Sequence, residues 1–438
     1  MSVSSKAEPR GLVIAAPNSN TGKTVFTLGL VGALIARGVR TQVAKGGPGF
    51  IDPQFLSLAT GQPAYNLDKW ALGEAQLRAR ASHLALGHDL LIIEGMMGMF
   101  DGAASMSGST ADLAATLDLP VLLLIDASGL AQSIAAIAHG FASLRPRPKI
   151  CGVVATRVGS EGHTAMLREA MAETGIPFLG AVARSDALTI PSRHLGLLQA
   201  EEMADIAQLA SAAAEAVGAG VDLEAVMKLA GKIPMRGTPN RVPPLGQRIA
   251  VARDIAFAFA YPHILGDWQA QGADIVPFSP LANEAPASDC DAIYLPGGYP
   301  ELHCGTLAAA DRFLTGLRDA AARGTVIYGE CGGYMVLGKT LIDADDQAHA
   351  MAGLLDHVVS FSEPQMHLGY RQLTPQHAAL GALPLRGHEF HYSRLDDPGT
   401  DAPLFDCYDA KGRHLGHTGG QRGSVFGSYM HMINQAPD

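Results

Sequence analysis

The chain has 438 residues, enough for two to four domains at about 100–200 residues each. Apolar residues make up 47%, so wholesale disorder is excluded and a sizeable core is within reach. Asp plus Glu (42) outnumber Lys plus Arg (32), for a net charge of −10, which argues against a nucleic-acid binder. Fifty glycines in a weakly charged chain point to an α/β enzyme with backbone-lined ligand sites. Cys151, Cys290, Cys304, Cys331 and Cys407 are odd in number and form no CxxC pair. A disulfide framework and a structural zinc site are therefore not expected. The N-terminus is polar, and Val121–Ile125 is far shorter than the ~20 residues of a membrane span. The expected location is the cytoplasm.

In chain order, strands are predicted at Leu12–Ala16, Thr41–Ala44, Leu90–Ile93, Val121–Ile125, Gly152–Ala155 and Phe178–Val182. A helix is predicted over Lys23–Arg37. Continuous apolar strands alternating with helices imply a parallel sheet covered on both faces. Residues 200–231 read as Ala-rich and helical. Residues 232–247, KIPMRGTPNRVPPLGQ, hold four prolines and two glycines, which no helix or central strand sustains. Strand signals resume at Ile249–Ala252, Asp274–Phe278, Ala292–Leu295 and Val326–Tyr328, with a helix over 307–323. The α/β chain thus divides into domains at 11–231 and 249–438, joined by a linker at 232–248. Residues 340–385 carry too weak a pattern to assign.

Residues 17–24, Pro17-Asn18-Ser19-Asn20-Thr21-Gly22-Lys23-Thr24, match GxxxxGK[ST] except for Pro17. A strand enters and a helix leaves, so Asn20, Thr21, Gly22, Lys23 and Thr24 are expected to hold nucleotide phosphates. Mg²⁺ needs oxygen ligands: the Thr24 hydroxyl, Glu94 ending LLIIE, and Asp52 in GPGFIDP are the candidates. Asp101 and, less strongly, Asp126 also stand at strand ends or the loops after them.

Gly329-Glu330-Cys331-Gly332-Gly333 follows the strand VIY and has the form of a nucleophile elbow. Cys331 would sit at a helix N-terminus, which is expected to lower its pKa. Gly298, in LPGGYP, and Gly332 are candidate oxyanion donors, and His431 is the candidate base. The other four cysteines lack this context. His388-Glu389-Phe390-His391 is not HExxH, and zinc is not expected there.

These motifs, together with LDKWAL, IIEGMMGMFDG, PSRHLGL (191–197), SFSEPQMHLGYR, RGHEFHYS and GSYMHMI, span Gly11 to about Ile433. The chain resembles the cobyrinic/hydrogenobyrinic acid a,c-diamide synthase family, in its MAGLL…HLGYR stretch most of all the cobalt-free-substrate branch. The resemblance implies an N-terminal P-loop domain related to dethiobiotin synthetase, fused to a class I glutamine amidotransferase domain. It implies a Cys331–His431 glutaminase pair and ATP with Mg²⁺ held by Lys23, Thr24, Asp52 and Glu94. It also implies ATP- and glutamine-dependent amidation of the a and c carboxylates through acyl phosphates. A homodimer is allowed. The corrinoid substrate is polyanionic, so a local cationic patch is expected. Arg184, Arg193, His194, Arg371, His388 and Arg394 are candidates, with Asp101 a further substrate contact.

Three positions depart from the family pattern. Gly49 stands where an Asp is usual, Thr156 where an Asn often precedes Arg-Val, and Ile433 where other class I amidotransferases place a Glu. Three alternatives remain open: a P-loop ATPase switch, a homologue that binds without turnover, and a synthase for another tetrapyrrole such as nickel sirohydrochlorin.

Overall fold

The computed structural model describes residues 8–103, 107–193, 196–235 and 237–437, with backbone alone for 192, 193, 196 and 197. Two compact units emerge, Met1–Asn240 and Arg241–Asp438.

In the first unit, seven parallel strands form one sheet. They are β1 (Arg10–Ala15), β2 (Thr41–Gly46), β3 (Tyr65–Leu67), β4 (Leu90–Glu94), β5 (Val121–Asp126), β6 (Ile150–Val158) and β7 (Phe178–Ala183), in the order β3-β2-β4-β1-β5-β6-β7. Successive residues of a strand face opposite sides. Leu12, Ile14, Ile92, Leu122 and Leu124 therefore pack into one core, and Val13, Ala15, Ile93, Leu123 and Ile125 into another. Apolar side chains are needed on both faces, which explains the continuous apolar runs. All seven strands point the same way, so the ends of β1, β2, β4 and β6 share one edge of the sheet.

The stretch 200–231 is not one helix. A 3₁₀ turn at Ala200–Glu202 and helices Ile206–Gly220 and Leu223–Leu229 divide it. The break falls at extended Val221, and Asp222 then caps the next helix by accepting from the Ala225 amide. Gly231–Lys232 pair antiparallel with the start of β1. Ile233 behind them is buried, and Pro234 O accepts from Ser82 Oγ. The proline-rich segment thus begins docked on the first unit.

In the second unit, a six-stranded sheet runs Asp274–Phe278, Arg248–Ala252, Ala292–Leu295, Val326–Glu330, Val425–Ser428, Gly420–Arg422. All neighbours are parallel except the last pair. A five-stranded antiparallel sheet includes His367–Pro375, Leu385–His391 and Met430–Gln435, with His388 directly opposite His431. Among the described residues, no helix is long and apolar enough to cross a membrane.

Candidate active sites

The loop between β1 and helix α1 (Lys23–Ala36) turns through two left-handed residues, Asn20 (φ 62°) and Gly22 (φ 87°). No side chain caps α1, so its first amides stay available to an anion. Lys23 folds back and donates to Met97 O (2.7 Å) and Asn18 O (3.2 Å). Burial, then the charge of Lys45, lowers the Lys23 pKa to about 8. A cavity of about 740 Å³ opens over the loop, walled in part by Lys23, Thr24, Lys45, Thr156, Arg157 and Arg184.

Three oxygen donors meet at its floor. Thr24 Oγ1 lies 3.2 Å from Asp52 Oδ1 and 3.1 Å from Glu94 Oε1. Asp52 is placed by the first turn of helix Ile51–Thr60, and Glu94 by the end of β4. Glu94 is fully buried, and its Oε2 has no hydrogen-bond partner among the described residues. Hard oxygen ligands with an unfilled buried carboxylate atom fit a Mg²⁺ ion.

Lys45, which sequence reasoning missed, stands among these acids. Its Nζ is 2.6 Å from Asp52 Oδ2 and 2.7 Å from Glu94 Oε1, and only 4% of the residue is exposed. Burial opposes the ammonium, but Asp52 and Glu94 together outweigh it and raise the pKa. Burial raises the Glu94 pKa, with Lys45 opposing. The signal was a lysine inside the otherwise buried strand TQVAKG, where a charge requires partners.

The departures at Gly49 and Thr156 acquire structural contexts. A Cβ at Gly49 would lie 3.5 Å from Asp52 Oδ2 and 3.7 Å from Lys45 Cε, in ordinary contact. The position borders the acid cluster, where a further Asp would add a carboxylate. Thr156, at the end of β6, donates from its hydroxyl to Thr21 O (3.1 Å) and so ties the sheet to the phosphate loop.

In the second unit, strand Val326–Glu330 ends in Cys331 at φ 48° and ψ −106°, and helix Gly332–Leu337 follows at once. Such a non-glycine conformation costs on the order of 1–3 kcal/mol and needs surrounding structure to hold it. The Cys331 amide donates to Ser428 O (2.8 Å) and the Gly333 amide to Pro296 O (3.0 Å). A Cβ on Gly332 would sit 3.1 Å from Gly298 N, and one on Gly298 would sit 2.0 Å from Ala256 O. The missing side chain at Gly332 thus lets its turn approach the Gly298–Pro300 segment, and the one missing at Gly298 lets that segment pack on the Ala256 backbone. A Cβ on Gly297 would meet His431 Cε1 at 2.3 Å and both His431 Nε2 and Cys331 Cβ at 3.2 Å. Cys331 and His431 therefore converge on one bare glycine.

The expected low thiol pKa is corrected. Burial, then the charge of Glu301, raises the Cys331 pKa, and the Gly332 amide opposes them only in part. The helix after Cys331 has just six residues, too short to overcome desolvation. Burial likewise lowers the His431 pKa well below its ordinary value, with the neighbouring His388 and His391 adding. Both shifts favour the uncharged forms, a thiol and a neutral imidazole. Glu330 Oε2 lies 3.9 Å from His431 Nδ1, an acid that sequence reasoning also missed because it stands far from the histidine along the chain.

The cationic candidates are divided between the two units. Arg184 is exposed and borders the first unit's cavity. Arg371 belongs to the second unit, where it pairs with Glu389 (2.5 Å). Arg394 pairs with Glu363 and Asp396, both at 2.6 Å. His388 is buried beside Tyr370, and desolvation lowers its pKa to about 4. His391 Nε2 donates to the Glu389 carboxylate (3.2 Å), and the ring stacks on His367. Asp101 accepts from the Gly98 amide (3.0 Å), and Asp126 pairs with Arg157. The Arg193 side chain and His194 lie outside the described residues.

A family model described as the CobQ/CobB/MinD/ParA nucleotide binding domain matches residues 12–198. One described as the CobB/CobQ-like glutamine amidotransferase domain matches residues 248–438. The hydrogenobyrinate a,c-diamide synthase of a Sinorhizobium species is 49% identical over 429 residues, covering 97% of this chain and 99% of that protein. The protein of that name from Rhodobacter capsulatus is 49% identical over 434 residues, with 97% and 99% covered. That from Rhizobium meliloti is 47% identical over 424 residues, with the same two coverages. The chain belongs to the hydrogenobyrinate a,c-diamide synthase family.

Proposed function

We propose that this chain is itself a glutamine-hydrolysing ligase that amidates the a and c side-chain carboxylates of hydrogenobyrinic acid, a step of cobalamin biosynthesis. The near-full-length match to relatives bearing that activity in their name carries this reading. The geometry of the two units supplies the chemistry.

In the second unit, Cys331 Sγ attacks the glutamine side-chain amide. Its proton passes to His431, and the oxyanion of the tetrahedral intermediate is met by the amides of Gly298 and Gly332. His431 returns that proton to the departing nitrogen as the intermediate collapses, releasing ammonia and leaving a thioester, and water then gives glutamate and frees the thiol. In the first unit, the amides of Asn20 to Thr24 and the Lys23 ammonium hold the ATP phosphates. A substrate carboxylate oxygen attacks the γ-phosphorus, and ADP leaves. Ammonia then attacks the acyl carbon of the mixed anhydride, phosphate leaves, and an amide remains. A free carboxylate would have to expel oxide, which is why activation precedes substitution. When bound, Mg²⁺ supplies charge neutralisation at the transferring phosphoryl group, and Thr24, Asp52 and Glu94 are the residues that would hold it. Lys45 offsets one of the two carboxylate charges in the resting site.

The test is mass spectrometry of products formed from ATP, glutamine and either hydrogenobyrinic or cobyrinic acid. Two successive acid-to-amide conversions of hydrogenobyrinic acid are expected. Hydrolysis of ATP without amidation, indifferent to glutamine, would instead mark a P-loop switch.

A further inference from the structure

The glutaminase pair lacks an acid just after the histidine, where Ile433 stands. We propose that Glu330, the residue immediately before the nucleophile, is the positioning residue for His431. This rests on the assignment of Cys331 and His431 above.

The strand Val326–Glu330 delivers both groups at once. The chain reverses at Cys331, so the thiol and the preceding carboxylate occupy successive positions at the strand's end. Glu330 is buried, and its carboxylate is aimed by three donors. Tyr294 OH donates to Oε2 (2.7 Å), and Tyr328 OH (2.9 Å) and the Met432 amide (3.0 Å) donate to Oε1. Met432 is the neighbour of His431, so the carboxylate grips the backbone of the strand that carries the histidine. Oε2 in turn faces His431 Nδ1 at 3.9 Å. Nε2 lies on the side of Gly297, where Cys331 also converges. One ring nitrogen thus faces the acid and the other the reacting side, the division of labour a general base needs.

The other titratable groups described near the histidine are committed elsewhere or oppose its charge. His388 and His391 oppose a positive ring. Glu389 is engaged by Arg371 and His391. Glu301 acts on the thiol. No lysine or arginine neutralises Glu330 among its described partners, and burial raises its carboxyl to about 7. The cation it lacks at rest is the imidazolium formed when His431 takes the Cys331 proton. The 3.9 Å gap is one that closes when the Michaelis complex tightens.

The experiment compares Glu330→Gln and Glu330→Asp with the unaltered full-length protein. Glutamine-dependent and ammonia-dependent synthesis are measured across a pH series. Gln at 330 can donate to Nδ1 and lock the wrong tautomer, so glutamine-dependent kcat is expected to fall roughly 10²–10⁴-fold. The carboxylate favours the imidazolium, so its loss moves the acid limb of the kcat/KM profile to lower pH. Ammonia-dependent synthesis, which bypasses the thiol, persists. Glu330→Asp keeps the charge and is expected to recover part of the rate and the original limb. Glutamine-dependent kcat within threefold of the parent, an unshifted limb, or Glu330→Asp no better than Glu330→Gln would each overturn the proposal. A Cys331→Ala control that still uses glutamine would overturn the site assignment itself, a separate failure.

Discussion

Replacing Lys45 with Met tests the charge arrangement at the floor of the nucleotide cavity. Met is close to Lys in volume, so packing changes little while the ammonium disappears. Two carboxylates then face each other without their cation, Glu94 fully buried and Asp52 with 23% of its side chain exposed. Breaking a buried pair by removing one partner costs about 3–5 kcal/mol. The Asp52 arm is discounted by solvent, so the Glu94 arm carries most of this. At roughly 2–4 °C per kcal/mol for a unit of this size, melting falls by about 6–20 °C. The pH dependence separates a charge effect from a packing effect. Glu94 is already raised by burial and rises further without Lys45. A carboxyl raised in the folded state contributes stability that is present below its unfolded value and is lost as pH rises through the folded value. The deficit should therefore be small near about pH 4.5 and largest near pH 8. Scanning calorimetry of the full chain across that range measures it, and added Mg²⁺ should narrow the deficit at pH 8 by replacing the missing cation. A deficit that does not change with pH, or a loss under about 2 °C at pH 8, would refute the charge argument.

Cys331→Ala should abolish glutamine-dependent synthesis and leave synthesis from ammonium salts intact, read by product formation with each nitrogen source. Gly297→Ala should place a Cβ 2.3 Å from His431 Cε1 and displace the ring. A shift of that kind costs about 10²-fold in glutamine turnover, and a near-normal glutaminase rate would contradict the geometry. Lys23 titrates at about 8 because burial and Lys45 oppose its charge. Its cation is present below that value and lost above it, so ATP affinity measured by calorimetry should fall between pH 7 and 9. An affinity flat across that range would contradict this.

The strand Leu90–Glu94 and the Gly-Lys-Thr loop were legible because their residues are consecutive and each needs only local context. Lys45 was passed over, since the strand expected at Thr41–Ala44 stops one residue short of it, whereas the strand runs on to Gly46. Glu330 could not be found by spacing from the histidine, because its partner lies 101 positions away along the chain and meets it only through the strand pairing at Ser428. The region 340–385 gave no pattern because its strands Thr340–Ile342, Ala348–Ala350 and Val358–Ser360 are three residues long, too short for a two-residue alternation to repeat, and the nine-residue strand His367–Pro375 buries only Tyr370 and Leu373, without alternation. The Cys331 pKa was misjudged because a helix start is visible in a sequence and the depth of burial is not.

The hydrogen bond from the Met432 amide to Glu330 links the strand that ends beside Cys331 to the strand that carries His431, across about a hundred residues. During synthesis on the ribosome, the thiol and its acid emerge long before the base. The phosphate loop, its acids and the elbow can all be in place while no ammonia can be made. A chain released prematurely before residue 431 would retain the nucleotide-binding unit but could not draw on the cell's glutamine. On the proposed reading, glutamine hydrolysis is thereby reserved for chains whose amide-forming unit has already been synthesised.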